Sequence, residues 1–300
     1  MRVAVTGSTG LIGTALVTAL RGEAHDVVRV VRGEMGPTDE ATIRWDPAHG
    51  AIDEAGLEGV DAVVHLAGAN IGGRRWNDAY RREILESRTR GTALISEAVA
   101  GLTRRPAVLI SASGINYYPD GGDEKLTEAS GPGHSFLSEL CKKWEAATAF
   151  ADAAGVRVVR IRTAPVIAGH DGFLPRMRRL FQFGLGGRLG SGRQWMSWIA
   201  LDDEVAAIRF LLDATVSGPV NLASPHPVTN REFTKTLARV LRRPAFVPVP
   251  AFGPRLVLGR EMADELLFTS LRVEPAALTE AGYQFRYPEL EPALRATLGR

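Results

Sequence analysis

The sequence predicts an α/β architecture, a doubly wound parallel sheet with a smaller C-terminal lobe. Three observations predict it. The β-branched run Met1-Arg-Val-Ala-Val-Thr6 is followed at once by Gly7, Gly10 and Gly13, and then by helical spacing over Thr14–Leu20. Strand-like and helix-like patterns then alternate with short links as far as Thr163. The most apolar run, Val60 to Asn70, ends in Ala67-Gly68-Ala69, small residues at what should be the carboxyl end of a central strand.

Strand, glycine turn and helix in succession form the context of a dinucleotide-binding fingerprint, and the sheet is therefore predicted to be of Rossmann type. Gly7 permits a tight turn, Gly10 lets a pyrophosphate approach the backbone, and Gly13 lets the helix pack closely on the sheet. The helix start adds free N–H groups and a partial positive charge. Gly7, Thr9, Gly10, Leu11, Ile12 and Gly13 are the cofactor-binding candidates of this turn, and Leu66, Ala67 and Gly68 those of the Val60–Asn70 run.

Bulk properties narrow the partners. Three hundred residues suffice for a large core, and a net charge of +2 gives no electrostatic footprint for nucleic acid. The single cysteine excludes an internal disulfide and suits a reducing compartment. With no apolar run near the roughly 18 residues that span a bilayer, and a strand starting at Met1, a cytoplasmic protein without membrane contact is expected. No metal site is expected.

Along the chain, Val27–Val31 reads as the second strand and ends at Arg32. An arginine at this point can hold the 2′-phosphate of NADP, where an acidic residue would select NAD. Arg32 lies nineteen residues past Gly13 and is preferred over Arg29, inside the strand. NADP is therefore the expected cofactor, with NAD the alternative and a solvated loop arginine the other reading of Arg32. Ala41–Asp46 reads as a third strand, with Asp46 either touching adenine or capping the following turn. His65 reads as a packed strand histidine, and Asn70 as a residue facing the pocket. Helices are predicted over Trp76–Ala100, Gly133–Ala153, Leu201–Leu212 (Asp202 as N-cap) and Thr229–Leu241 (Thr229 as cap). Strands are predicted at Pro106–Ile110, Val156–Arg162 and Pro219–Leu222. Residues 1–165 form the predicted dinucleotide-binding domain, with the sheet completed by about 201–223. Residues 166–200 and 224–300 form the predicted substrate lobe.

These pieces resemble the atypical extended branch of the short-chain dehydrogenase/reductases, the "epimerase family protein" subfamily. The resemblance rests on Gly7-Ser-Thr-Gly10-Leu-Ile-Gly13, Val64-His-Leu-Ala-Gly-Ala-Asn70-Ile71 and Glu83-Ile-Leu-Glu-Ser87-Arg88. It rests also on Gly190 to Ile199, Gly218 to Pro225, and a tail with Leu267 to Val273 and Pro275. The resemblance implies a catalytic hydroxyl at Ser113. It also implies a Tyr-x-x-x-Lys pair on the next helix, but Leu137 and Cys141 stand there. Arg88 stands where an Asn is usual, and Ala200 where a His precedes the Asp-Asp pair. Tyr117 and Tyr118, just after Ser113, are the replacement proton donors, or simply loop packing. Lys142 is a weaker third, rotated about 100° off the lysine register. Dimers built from two long helices are common in the superfamily, so a homodimer is an open expectation.

Two functions follow. One is an NADP-dependent oxidoreductase or epimerase-like enzyme acting on an unidentified small molecule, a sugar-nucleotide-like compound being one candidate, with Asn70 and Arg193 as substrate contacts. The other is a non-catalytic NADP(H) sensor or scaffold, favoured by the missing Tyr/Lys pair.

Overall fold

The structure, a computed structural model, describes residues 1–33 and 42–300. Eight strands form its main sheet: β1 (Arg2–Thr6), β2 (Asp26–Arg32), β3 (Thr42–Asp46), β4 (Ala51–Ile52), β5 (Ala62–His65), β6 (Val108–Gly114), β7 (Arg157–Thr163) and β8 (Gly218–Leu222). Their spatial order is β8-β7-β6-β5-β1-β2-β3-β4. Every neighbouring pair is parallel except β3 and β4. The chain lays β2 and β3 on one side of β1, then returns to place β5 on the other. The switch point therefore falls between β1 and β5, where Thr6 lies opposite His65. In such sheets the crevice at the strand carboxyl ends, at this point, is where ligands bind.

Side-chain alternation along the strands feeds two cores. Val3 and Val5 join Leu16 of helix α1 (Leu11–Gly22) on one face. Ala4 and Val63 meet Ile95 and Val99 of helix α2 (Asp78–Gly101) on the other. Helix α3 (Phe136–Ala146) lies beside α2, and helix α4 (Leu201–Asp213) beside α1. A third core gathers Phe181, Trp198 and Leu294 around Phe233 and Leu237 of helix α5 (Asn230–Leu241). Thr229 caps α5 through a reciprocal capping box with Glu232, as its sequence predicts. Among the described residues no helix is long and apolar enough to cross a membrane.

Three local expectations are corrected. The helix predicted over Gly133–Ala153 is two helices, α3 and Ala149–Ala153. Between them the Thr148 hydroxyl donates to the Glu145 carbonyl and accepts from Arg160 Nε, so local bonds replace helix continuity. The strand expected to stop at Ile110 runs on to Gly114, which places Ser113 inside β6 rather than beyond it. Asp202 is not a cap: α4 starts at Leu201 after Ala200, with no side-chain cap. The buried Asp203 instead accepts from the Arg286 and Tyr287 amides and ties α4 to the tail. Ala41, assigned to the third strand from sequence, lies outside the described residues.

Candidate functional site

The glycine turn closes on the neighbouring strand. Gly7 has φ +64°, and a methyl group there would lie 2.8 Å from the Leu66 carbonyl carbon. Gly13 meets an even tighter limit, since its Cβ would lie 2.1 Å from the Gly7 carbonyl oxygen. Gly13 thus lets α1 pack directly on the turn that ends β1. Gly10 differs from both. Its φ is ordinary, and a Cβ there would approach only the Gly7 oxygen, at 3.4 Å. The first bond within α1 runs from Thr14 N–H to the Gly10 carbonyl, so the amides of Leu11, Ile12 and Gly13 precede the helical ladder. Thr9 and Gly10 are exposed, while Leu11 and Ile12 are half-buried. This is an open helix start with no side-chain cap, a geometry suited to phosphate.

A buried polar joint holds β1 and β5 together at this point. Thr6 Oγ1 accepts from the amides of Leu66 (3.0 Å) and Ala67 (3.2 Å), which leaves its own proton for His65 Nδ1 at 2.8 Å. His65 Nδ1 is then the acceptor and Nε2 carries the hydrogen. Burial holds the imidazole neutral, with its pKa pushed down to about 4. His65 is therefore a structural histidine, in line with its strand position, and the Thr6 hydroxyl it orients holds Leu66 and Ala67 beside Gly7.

Arg32 ends β2, exposed to solvent. Asp46, at the end of β3, accepts from the Ala48 amide and from His49 Nδ1. It caps its turn, one of the two roles its position allows. Asn70 is exposed and folds its own loop, with Oδ1 accepting from the Gly72 amide at 2.9 Å. Arg193 is exposed, and its amide donates to the Ser191 hydroxyl within its own turn. In its segment Arg188, not Arg193, lines an open groove of about 840 Å³ with Arg231, Lys235, Arg239, Arg242 and Arg243.

Ser113 is the centre of a network that the sequence pattern does not reveal. Its hydroxyl donates to Glu145 Oε1 at 2.7 Å. The same carboxylate accepts from Arg162 Nε at 2.8 Å and, through Oε2, from Nη2 at 2.9 Å. This fork-to-fork pair joins α3 to β7 with only 3 % and 11 % of the two side chains exposed. Burial works against the Arg162 charge, but the Glu145 carboxylate more than offsets it and the net shift is upward. Arg162 Nη1 donates to the Tyr118 hydroxyl at 3.0 Å, and Tyr118 donates to Asn221 Oδ1 at 2.7 Å.

Those contacts separate the two tyrosines. Tyr118 is 2 % exposed, and burial pushes its hydroxyl up to about 12. It is corrected here from proton donor to a positioning residue of Arg162. Tyr117 is half-buried, with its ring 3.4 Å beneath the Arg162 guanidinium. Among the described residues no hydrogen bond holds the Tyr117 hydroxyl. Leu137 and Cys141 are buried in the core of α3, and burial pushes the Cys141 thiol up to about 12. Neither transfers a proton. Lys142 points away and pairs with Glu139.

Comparison with known proteins places these features. Residues 3–223 match the family described as the NAD dependent epimerase/dehydratase family, and residues 249–297 match a domain of unknown function, DUF1731. The epimerase family protein Mb2239 of Mycobacterium bovis is 45 % identical over 293 residues, 97 % of this chain and 96 % of that protein. The human epimerase family protein SDR39U1 is 37 % identical over 299 residues, 98 % and 99 % of the two chains. The crystal structure of human SDR39U1 (isoform 2) with NADPH superimposes with a TM-score of 0.91 at 36 % identity, covering 100 % and 99 % of the two chains.

Proposed function

The chain belongs to the NAD dependent epimerase/dehydratase family, and we propose that it is an NADP(H)-dependent oxidoreductase or epimerase-like enzyme acting on a small hydroxyl- or carbonyl-bearing molecule. The dinucleotide lies at the switch point, its pyrophosphate on the open start of α1 and its 2′-phosphate near Arg32. The human relative solved with NADPH supports that choice of cofactor. Residues 1–165 with 201–223 serve the cofactor, and residues 166–200 and 224–300 cover the substrate. When bound, the nicotinamide supplies the hydride acceptor or donor.

One observation carries the enzymatic reading: the buried Glu145–Arg162 pair that grips Ser113. A buried ion pair is seldom a net gain in stability over apolar packing, so its place at the carboxyl ends of β6 and β7 points to a functional task. The task follows from donor counting. Ser113 directs its O–H at Glu145, so toward the pocket it offers only lone pairs. It therefore accepts from a substrate hydroxyl and cannot itself protonate a substrate oxygen. The proton must move through another group, and Tyr117 is the phenol beside Ser113 with an uncommitted hydroxyl.

Tyr117→Phe is accordingly expected to lower kcat on the order of a hundredfold, with NADPH affinity unchanged. The check is steady-state turnover on a panel of carbonyl and hydroxy compounds alongside a cofactor titration. An unchanged kcat removes Tyr117 from the mechanism. The burial of Leu137 and Cys141 favours a second reading, a non-catalytic NADP(H) sensor. Absence of any cofactor oxidation or reduction across that panel selects it.

A further inference from the structure

Arg88 is a buried cation without a counter-ion. It lies on α2 with 6 % of its surface exposed, and among the described residues no carboxylate pairs with it. Nη1 donates to the carbonyls of Ala69 (2.9 Å) and Ile84 (3.2 Å), while Nε is buried with no partner. The guanidinium lies over the Trp144 ring, 4.7 Å from its centroid. It also presses against the loop after β5, since a methyl group at Gly68 would lie 3.2 Å from its Cζ. Burial draws its pKa down to about 10, so the cation persists at neutral pH. An uncompensated buried charge is costly and persists where something later offsets it.

The position says what that is. Arg88 sits directly behind Gly68 and Ala69, the residues that follow Leu66 and Ala67, which the Thr6 hydroxyl holds beside the glycine turn. Ser113 lies on the next strand, two residues past the Ser111 that faces His65. The cation thus sits between the pyrophosphate end of the crevice and the Ser113 network.

We propose that Arg88 is a binding residue for the nicotinamide riboside half of the dinucleotide, its positive charge favouring the reduced, uncharged ring over the oxidised, cationic one. This rests on the cofactor reading above. A unit charge within about 10 Å of the ring, at an effective dielectric near 20, separates the two redox forms on the order of tenfold.

The test is equilibrium titration of the purified full chain with NADPH, NADP⁺ and adenosine 2′,5′-bisphosphate, which lacks the nicotinamide half. Wild type is expected to bind NADPH about tenfold tighter than NADP⁺. Arg88→Met is expected to collapse that ratio toward one and leave the bisphosphate affinity unchanged. Arg88→Gln keeps a donor for the Ala69 carbonyl without the charge and should behave alike, which covers the case in which Met does not fold. Arg88→Lys should retain the ratio. A ratio that survives in Met and Gln, with both redox forms weakened equally, reduces Arg88 to a structural tether and overturns the proposal. So does a wild type that binds the bisphosphate but shows no preference between redox forms. A wild type that binds none of the three overturns the cofactor reading itself.

Discussion

Glu145→Ala is expected to destabilise the protein by about 3–5 kcal/mol, because it leaves the Arg162 guanidinium buried without its partner. Three hydrogen bonds end on that carboxylate, and all are lost together. The Ser113 hydroxyl loses its acceptor, and the Arg162 cation over the Tyr117 ring loses the carboxylate that fixes it. Urea denaturation of the variant gives the loss directly. A second substitution separates stranding the charge from losing the pair. Glu145→Ala with Arg162→Met removes both charges and is expected to recover much of the loss, as for other buried pairs replaced by apolar groups. A single variant within about 0.5 kcal/mol of wild type, the range of ordinary surface changes, contradicts the role given to this pair.

The opposite sign is expected at Glu204, where substitution should stabilise. Its carboxyl is fully buried on α4, with Oε1 accepting from the Thr163 hydroxyl and Oε2 without a partner among the described residues. Burial pushes its pKa from the ordinary 4.5 up to about 8. A raised carboxyl pKa means that the folded state holds a proton that the unfolded chain has released. The associated stability is fully present below about pH 4.5 and is lost as pH rises through about 8. Glu204→Gln keeps an acceptor for Thr163 and removes the titration. It should gain about 3 kcal/mol over wild type at pH 7, with little gain at pH 5. His65 runs the other way: its depressed pKa lowers stability as pH falls below 6.5 toward about 4. The two trends partly cancel in the wild-type profile, so the difference between variant and wild type is the informative quantity. Equal stability of the two proteins at pH 8 would falsify the assignment.

Much of this was legible in the chain because local physics wrote it there. The β-branched runs, Val3 and Val5 around Ala4 and then Val63 beside Val64, alternate between two cores and demand a two-faced sheet. Gly7 and Gly13 mark a turn that other residues cannot make, while Gly10 keeps the helix start uncovered, and the structure refines their tasks without moving the turn. The break at Thr148 was not legible, because neither proline nor glycine marks it and the competing bonds come from Arg160 on another element. The Ser113 network was hidden for a related reason. Glu145 and Arg162 look like surface charges of a helix and a strand, and only the packing of α3 on β6 and β7 turns them inward. A signal did exist: an arginine alternating with Val and Ile in a strand between two other buried strands must find a partner. Arg88 carried a similar signal, a cation in register with Ile84, Gly91 and Ile95 on the buried side of α2.

The central claim is that a dinucleotide phosphate rests on the open start of α1. Gly10 tests it most directly, because its Cβ position clashes with nothing in the fold, whereas Gly13→Ala would strike the Gly7 carbonyl and disturb the turn. The measurement is titration of NADPH into wild type and Gly10→Val, with thermal unfolding of both. A loss of affinity on the order of a hundredfold, about 2.7 kcal/mol, with an unchanged melting temperature, is the predicted result. Equal affinity in the two proteins would contradict the account.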